Sequence, residues 1–275
     1  MDRSDQAELV APADGVCVGI GVGVCGVVST DEGTVRFAPN LGWVDVPLRA
    51  LLEEVLDTGL PIDLGNDGDV GALAEHLRGA GRGVSDMVFV AGEVGIGGGV
   101  IVDGRPFRGA GGYAGEVGHM SVDPRGRVCR CGRRGCWETE ISDQAVLLAT
   151  RAADGVSLDE VLSAYAAGER WVQPGVRRVG RALGTGVANL VNIFNPELIV
   201  FGGAVRQIFS ATEPLVREAL AGALAAPGEG VRLAVAGLAD DSVLLGAAEL
   251  AFAPLLDDPL GLLHLHGKAP VGAGT

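Results

Sequence analysis

Cys129, Cys131 and Cys136 fall within eight positions of one another, and His119 stands ten residues before the first of them. The stretch that holds them, GHMSVDPRGRVCRCGRRGCWE (118–138), constrains the fold more than any other part of the chain. Three thiolates and one imidazole make a tetrahedral donor set suited to zinc. Sulfur and nitrogen donors favour zinc over magnesium or calcium. Gly126, Gly132 and Gly135 let a short loop close around one ion. With all four positions filled by protein, the expected zinc on His119, Cys129, Cys131 and Cys136 is structural. The alternative is a cluster of unliganded buried thiols, which has no use for the spacing or for the histidine.

Five cysteines, an odd number with three clustered, do not form a secreted disulfide framework. The 275 residues allow two domains or one large α/β domain, and a 48% hydrophobic share supports a filled core. The formal net charge of −14 argues against a nucleic-acid surface on this chain. Arg125, Arg127, Arg130, Arg133 and Arg134 form a local basic cluster, read as a solvated loop. No secretory leader pattern and no apolar run of about 18 residues is present, so a soluble cytoplasmic protein without membrane contact is expected.

Hydrophobic patterning places strands at 16–24, 60–64, 86–92, 97–104, 197–203 and 231–237. It places helices at 47–57, 69–79, 142–153, 157–168, 171–194 and 245–255. Ser142 opens one helix as an N-cap, and Ser157 with Glu160 forms a capping box on the next. Asn66–Asp67 reads locally as an Asx cap. Residues 1–15 and 256–275 are expected to pack loosely. Strands alternating with helices imply an α/β protein with a largely parallel or mixed sheet covered on both faces.

AGEVGHM followed by CRCGRRGCWE resembles the signature of the ROK family, named for repressors, open reading frames and kinases. FAPNLGW (37–43), NDGDVGALAEH (66–76), GIGGGVIVDGRPFRGAGGYAGEVGH (95–119) and NLVNIFNPELIVFGG (189–203) resemble family segments in the same order. The resemblance implies an actin-like ATPase (ribonuclease H-like) fold with two lobes and a cleft. It divides the chain into a partial first lobe at 16–92 and a second lobe at 93–255, which carries the zinc loop. It implies sugar contacts on Asn40, Asn66, Asp67, Glu116, His119 and Glu138. His119 would give one ring nitrogen to zinc and offer the other to a hydroxyl. It also implies weak nucleotide contacts at Gly95, Gly97, Gly98, Gly202 and Gly203, and a homo-oligomer.

In the family's kinases the aspartate matching Asp67 is the general base, with ATP and Mg²⁺ as cosubstrate and cofactor. Three departures weigh against that activity. No DxGGT-like segment is present, so the first lobe is expected to be incomplete. Val94 replaces a threonine hydroxyl, and Glu93 adds negative charge beside the same turn. VCG (24–26) lacks the usual proline. The segment GEVGIGGGVIVDGRP resembles the family's actinobacterial-type regulators instead, although residues 1–15 are too few for a helix-turn-helix. The expected function is therefore the sugar-sensing domain of a transcriptional regulator, with a sugar as effector. The alternatives are an ATP-dependent hexose or N-acetylhexosamine kinase, or a folded remnant without function.

Overall fold

The computed structural model describes residues 17–92, 95–222, 224 and 230–259. The core of the larger half is a five-stranded sheet ordered β10-β9-β6-β7-β8. Its strands are β6 (Met87–Gly92), β7 (Ile96–Val102), β8 (Arg105–Pro106), β9 (Leu198–Gly202) and β10 (Arg232–Val235). β6, β9 and β10 run parallel, while β7 and β8 turn back antiparallel. β9, with the sequence LIVFG, is buried at all five positions, as a central strand covered on both faces must be.

α6 (Gln173–Phe194) and α7 (Gly203–Leu220) pack on this sheet, beside α3 (Glu138–Ile141), α4 (Asp143–Thr150) and α5 (Leu158–Ala166). α4 begins at the Ser142 cap, and α5 carries both hydrogen bonds of its Ser157–Glu160 capping box. α6 stops where Asn195 takes a left-handed conformation, φ 45°.

The smaller half pairs β1 (Ile20–Val24) in parallel with β5 (Ile62–Asn66). Beside it lies an antiparallel sheet of β2 (Val27–Ser29), β3 (Thr34–Ala38) and β4 (Trp43–Val46). α1 (Leu48–Leu56) connects β4 to β5. α2 (Asp67–Arg78) and α8 (Ser242–Asp257) pack on each other, and α8 also lies on β1 and β5. The side chain of Glu75, fully buried in α2, accepts from Ala80 N (2.8 Å), Gly237 N, Leu238 N and Ser242 Oγ (2.9 Å each). Four donors on one carboxylate satisfy a charge that burial would otherwise penalise. They also tie α2 to the segment that enters α8.

Several expectations shift. The strand placed at 60–64 runs from 62 to 66, and its helix opens at 67 instead of 69. β6, placed with the first lobe by a boundary at 92, is hydrogen-bonded into the five-stranded sheet. The β2–β4 sheet was not expected, because its strands are only three to five residues long. No element was placed between 203 and 231, yet α7 lies there, with Val205, Ile208, Phe209, Thr212, Val216 and Leu220 as its buried helical stripe. Residues 1–15, most of the tail, and Glu93 and Val94 lie outside the described residues.

Candidate functional site

A cleft of about 480 Å³ opens between the two halves. Asn66 and Asp67 reach it from the β5–α2 junction. The Asn66 carboxamide oxygen caps α2 by accepting from Gly68 N (2.8 Å) and Asp69 N (3.3 Å), and its NH₂ donates to Gly26 O (2.8 Å). The Asx cap is therefore real, and one N–H of Asn66 remains for a ligand. Asp67 is the first residue of the helix and lines the cleft. Gly68 seats this turn on β7: a Cβ there would come within 2.6 Å of the Gly98 backbone.

Glu116 and His119 enter on the 3-10 turn Val117–His119 and the residue before it. Burial, with help from the Asp67 and Glu138 charges and against His119, raises the Glu116 carboxyl above its ordinary range. Asp69, in the first turn of α2, is pushed up to about 7 by burial, with Arg108 opposing and Glu116 and Asp67 adding to the rise. No sequence signal marks Asp69, because its position beside these carboxylates depends on how the 107–116 loop folds over α2.

The cysteine loop follows. Bridges Ser121–Cys136 and Val128–Arg134 pinch it, and Gly132 and Gly135 turn it with φ of 87° and 67°. Cys129 Sγ lies 3.7 Å from His119 Nδ1, and Cys131 Sγ lies 3.6 Å from Cys136 Sγ. All four ligand atoms fall within 4.8 Å of one another. A tetrahedron with metal–sulfur bonds of about 2.3 Å has edges of about 3.8 Å, so the donors fit zinc. Burial and the Glu138 carboxylate raise the Cys129 thiol, which donates to Glu138 Oε1 at 2.8 Å. A zinc ion must displace that proton, which would release this oxygen of Glu138.

Trp137 explains how Glu138 is placed. Its ring is fully buried against Gly186 of α6, and its Nε1 donates to Ala182 O at 2.9 Å. Successive residues thus serve three ends: Cys136 the metal cluster, Trp137 the core, and Glu138 the cleft, where Ile96 N donates to its Oε2 at 3.4 Å.

All six expected sugar residues, Asn40, Asn66, Asp67, Glu116, His119 and Glu138, line the one cleft. Of the expected nucleotide glycines, Gly95, Gly97 and Gly203 line it as well. Gly98 and Gly202 do not: a Cβ on Gly98 would meet Val117 and Gly115, and one on Gly202 would meet Phe89. The basic cluster is not wholly solvated, since Arg127 and Arg130 line the cleft, Arg127 lies 3.8 Å from Glu140, and Arg130 bonds Asn40. A basic run gives no sign of which arginine faces the cleft. The carboxylates of Asp67, Glu116 and Glu138, with a histidine and amide N–H groups around one cavity, are the donors and acceptors that a polyol requires.

The fold is the α/β actin-like ATPase fold. It superimposes with a TM-score of 0.77 on a ROK-family glucokinase of Streptomyces griseus in complex with glucose and AMPPNP, at 30% identity over 86% of this chain and 81% of that one. The chain belongs to the ROK family, whose model matches residues 7–253. It is 33% identical to a xylose repressor of Caldicellulosiruptor bescii over 258 residues, 88% of this chain and 64% of that protein. It is 35% identical to a glucokinase of Halalkalibacterium halodurans over 253 residues, 85% of this chain and 76% of that protein. The chain thus spans less than two thirds of the repressor's length. Among the described residues no helix is long and apolar enough to cross a membrane.

Proposed function

We propose that this chain binds a sugar in the cleft as the effector-sensing part of a ROK-family transcriptional regulator. The observation that carries the reading is the convergence of Asp67, Glu116, His119 and Glu138 on one cavity, in a chain similar to a xylose repressor. The carboxylates accept hydrogen bonds from sugar hydroxyls, while His119 Nε2 and the free N–H of Asn66 donate. Zinc on His119, Cys129, Cys131 and Cys136 has a structural role: it fixes the His119 ring and the approach of Glu138. Gly95, Gly97 and Gly203 leave room in the cleft wall, but Gly95 lies beside the Glu138 carboxylate and Gly97 beside that of Asp67. In the sequence, Glu93 and Val94 precede Gly95, a carboxylate and an apolar side chain with no hydroxyl to meet a phosphate, which speaks against a polyphosphate.

Calorimetric titration of the zinc-loaded protein with D-xylose and D-glucose tests the proposal. Binding is expected, and Asp67→Asn or Glu138→Gln should weaken it at least tenfold, the range for hydrogen bonds to charged groups. No heat with any pentose, hexose or N-acetylhexosamine would overturn it. The second reading, an ATP-dependent sugar kinase, draws on Asp67 at the cleft and on the likeness to glucokinases. Sugar-dependent release of ADP from Mg·ATP at about 1 s⁻¹ or faster, lost in Asp67→Asn, would establish that reading in place of the first.

A further inference from the structure

We infer that Arg130 is a positioning residue for ligand selection: it holds the Asn40 amide so that the NH₂ group, not the carbonyl, faces the cleft. The inference rests on the sugar reading of the cavity, and it concerns a residue that the sequence places in a solvated loop.

Arg130 sits between two metal ligands, Cys129 and Cys131, so its backbone is held wherever the cluster is held. The backbone there is fixed further by Cys129 N donating to Arg133 O (2.7 Å) and Gly132 N donating to Cys129 O (3.0 Å). From this anchor the guanidinium reaches across the cleft and donates to Asn40 Oδ1. Asn40 belongs to the β3–β4 turn, which closes with Leu41 N donating to Ala38 O (3.0 Å) and with Gly42 at φ 68°. That turn rides on the small half's own hydrophobic cluster around Val28, Val35 and Leu64, separate from the core under the cysteine loop. The contact therefore joins two independently packed bodies at the rim of the cavity.

The chemistry of the pair sets the amide's direction. A guanidinium has five donors and no acceptor, so only the carbonyl oxygen of Asn40 can face it. The NH₂ then points the other way. A methyl group built on Gly95, which lines the cleft, would stand 3.9 Å from Asn40 Nδ2 and 3.0 Å from Glu138 Oε2. Asn40 thus presents a donor beside the acceptor of Glu138. A hydroxyl bridging the two would accept from one and donate to the other. Without Arg130 the exposed amide is free to turn over, and it would then offer an acceptor beside an acceptor. Arg127, the other cleft arginine, does not substitute, because it is directed at Glu140.

Two measurements on the zinc-loaded protein test this. The first is titration with D-glucose, D-xylose and the monodeoxyglucoses. Arg130→Ala should weaken binding roughly threefold to tenfold, the range of one net hydrogen bond. The loss should fall on the same single hydroxyl that Asn40→Ala affects, and the double variant should be no weaker than either single one. Asn40→Asp, which keeps a partner for Arg130 but removes the donor, should show that same loss, while Arg130→Lys should recover part of it. Additive losses, or an unchanged deoxy profile in Arg130→Ala, would overturn the inference. The second measurement needs no ligand. Backbone hydrogen exchange at 38–43 should quicken in Arg130→Ala, and in the unaltered protein after zinc chelation, with 198–202 unaffected. Equal exchange at 38–43 overturns the contact itself. Faster exchange without binding of any sugar overturns the reading of the cleft, and Arg130's part in selection with it.

Discussion

The β5–α2 junction and the cysteine loop open onto the same cleft, but different forces hold them. At the junction, Asn66 and Asp67 are placed by a parallel strand pair, a capped helix and the seating of Gly68 on the backbone of Gly98. Every partner there is backbone or hydrophobic core. The cysteine loop has two isolated bridges, three glycines and a Cys/His cluster, and its largest buried side chain is Trp137. The comparison teaches that half of the polar site forms with the core, while the other half, His119 and Glu138, hangs on the Cys/His cluster and one indole ring.

The largest effect should come from breaking the loop's side. Cys131→Ser should lose the metal, at a cost on the order of 10 kcal/mol of binding free energy for a structural zinc at pH 7. Elemental analysis should fall from one equivalent to near none, and exchange should rise across 118–138 while 62–70 stays protected. Equal loosening of both segments would erase the contrast. Next, Trp137→Ala should cost about 3–5 kcal/mol in denaturant unfolding, as expected for emptying a buried aromatic site. It should also weaken sugar binding through Glu138. A cost under 1 kcal/mol would show that zinc alone positions the loop.

The junction's side can be probed by pH. Asp69 is raised to about 7 from about 4 in an unfolded chain. The folded state then favours the protonated form. The stability this contributes is complete below pH 4 and is lost as pH rises through 7. The helix N-terminus, which favours the charged form, reduces the effect. Asp69→Asn should therefore gain on the order of 2 kcal/mol over the unaltered protein at pH 8 and much less at pH 5. A difference independent of pH, measured by urea unfolding, would show that the carboxylate is solvated. The smallest effect should be that of Asn66→Ala, which loses a helix cap and the bond to Gly26 O. It should cost about 1–2 kcal/mol without altering zinc content; any loss of zinc would mean that the two sides are coupled.

Much of the site could be read from the chain because its pieces are local. The four metal donors lie within 18 residues, and a cap followed by its helix is a pattern of four. Elements with long apolar stretches, such as β6, β9 and α6, were legible for the same reason. Arg130 and Asn40 are separated by 90 residues, and nothing in either neighbourhood announces the other. Glu75 carries no local mark of its role, because its partners at Gly237, Leu238 and Ser242 lie more than 160 residues away. The short strands of β2–β4 escaped because three to five residues carry too little periodicity to separate from a turn.

The sequence by itself determined the α/β class, the Cys/His cluster and the identity of the polar groups that line the cleft. Donor chemistry, helix caps and buried strands depend on residue type and short spacing, which a linear chain already contains. Only the tertiary structure decided which groups meet. It turned Arg130 toward the cleft and gave Asn66's oxygen to a helix cap. It also removed Gly98 and Gly202 from the cleft wall and half-buried Asp69 beside two other carboxylates. Burial and orientation depend on which surfaces the packed halves bring together, and that is a property of contacts between residues far apart in the chain.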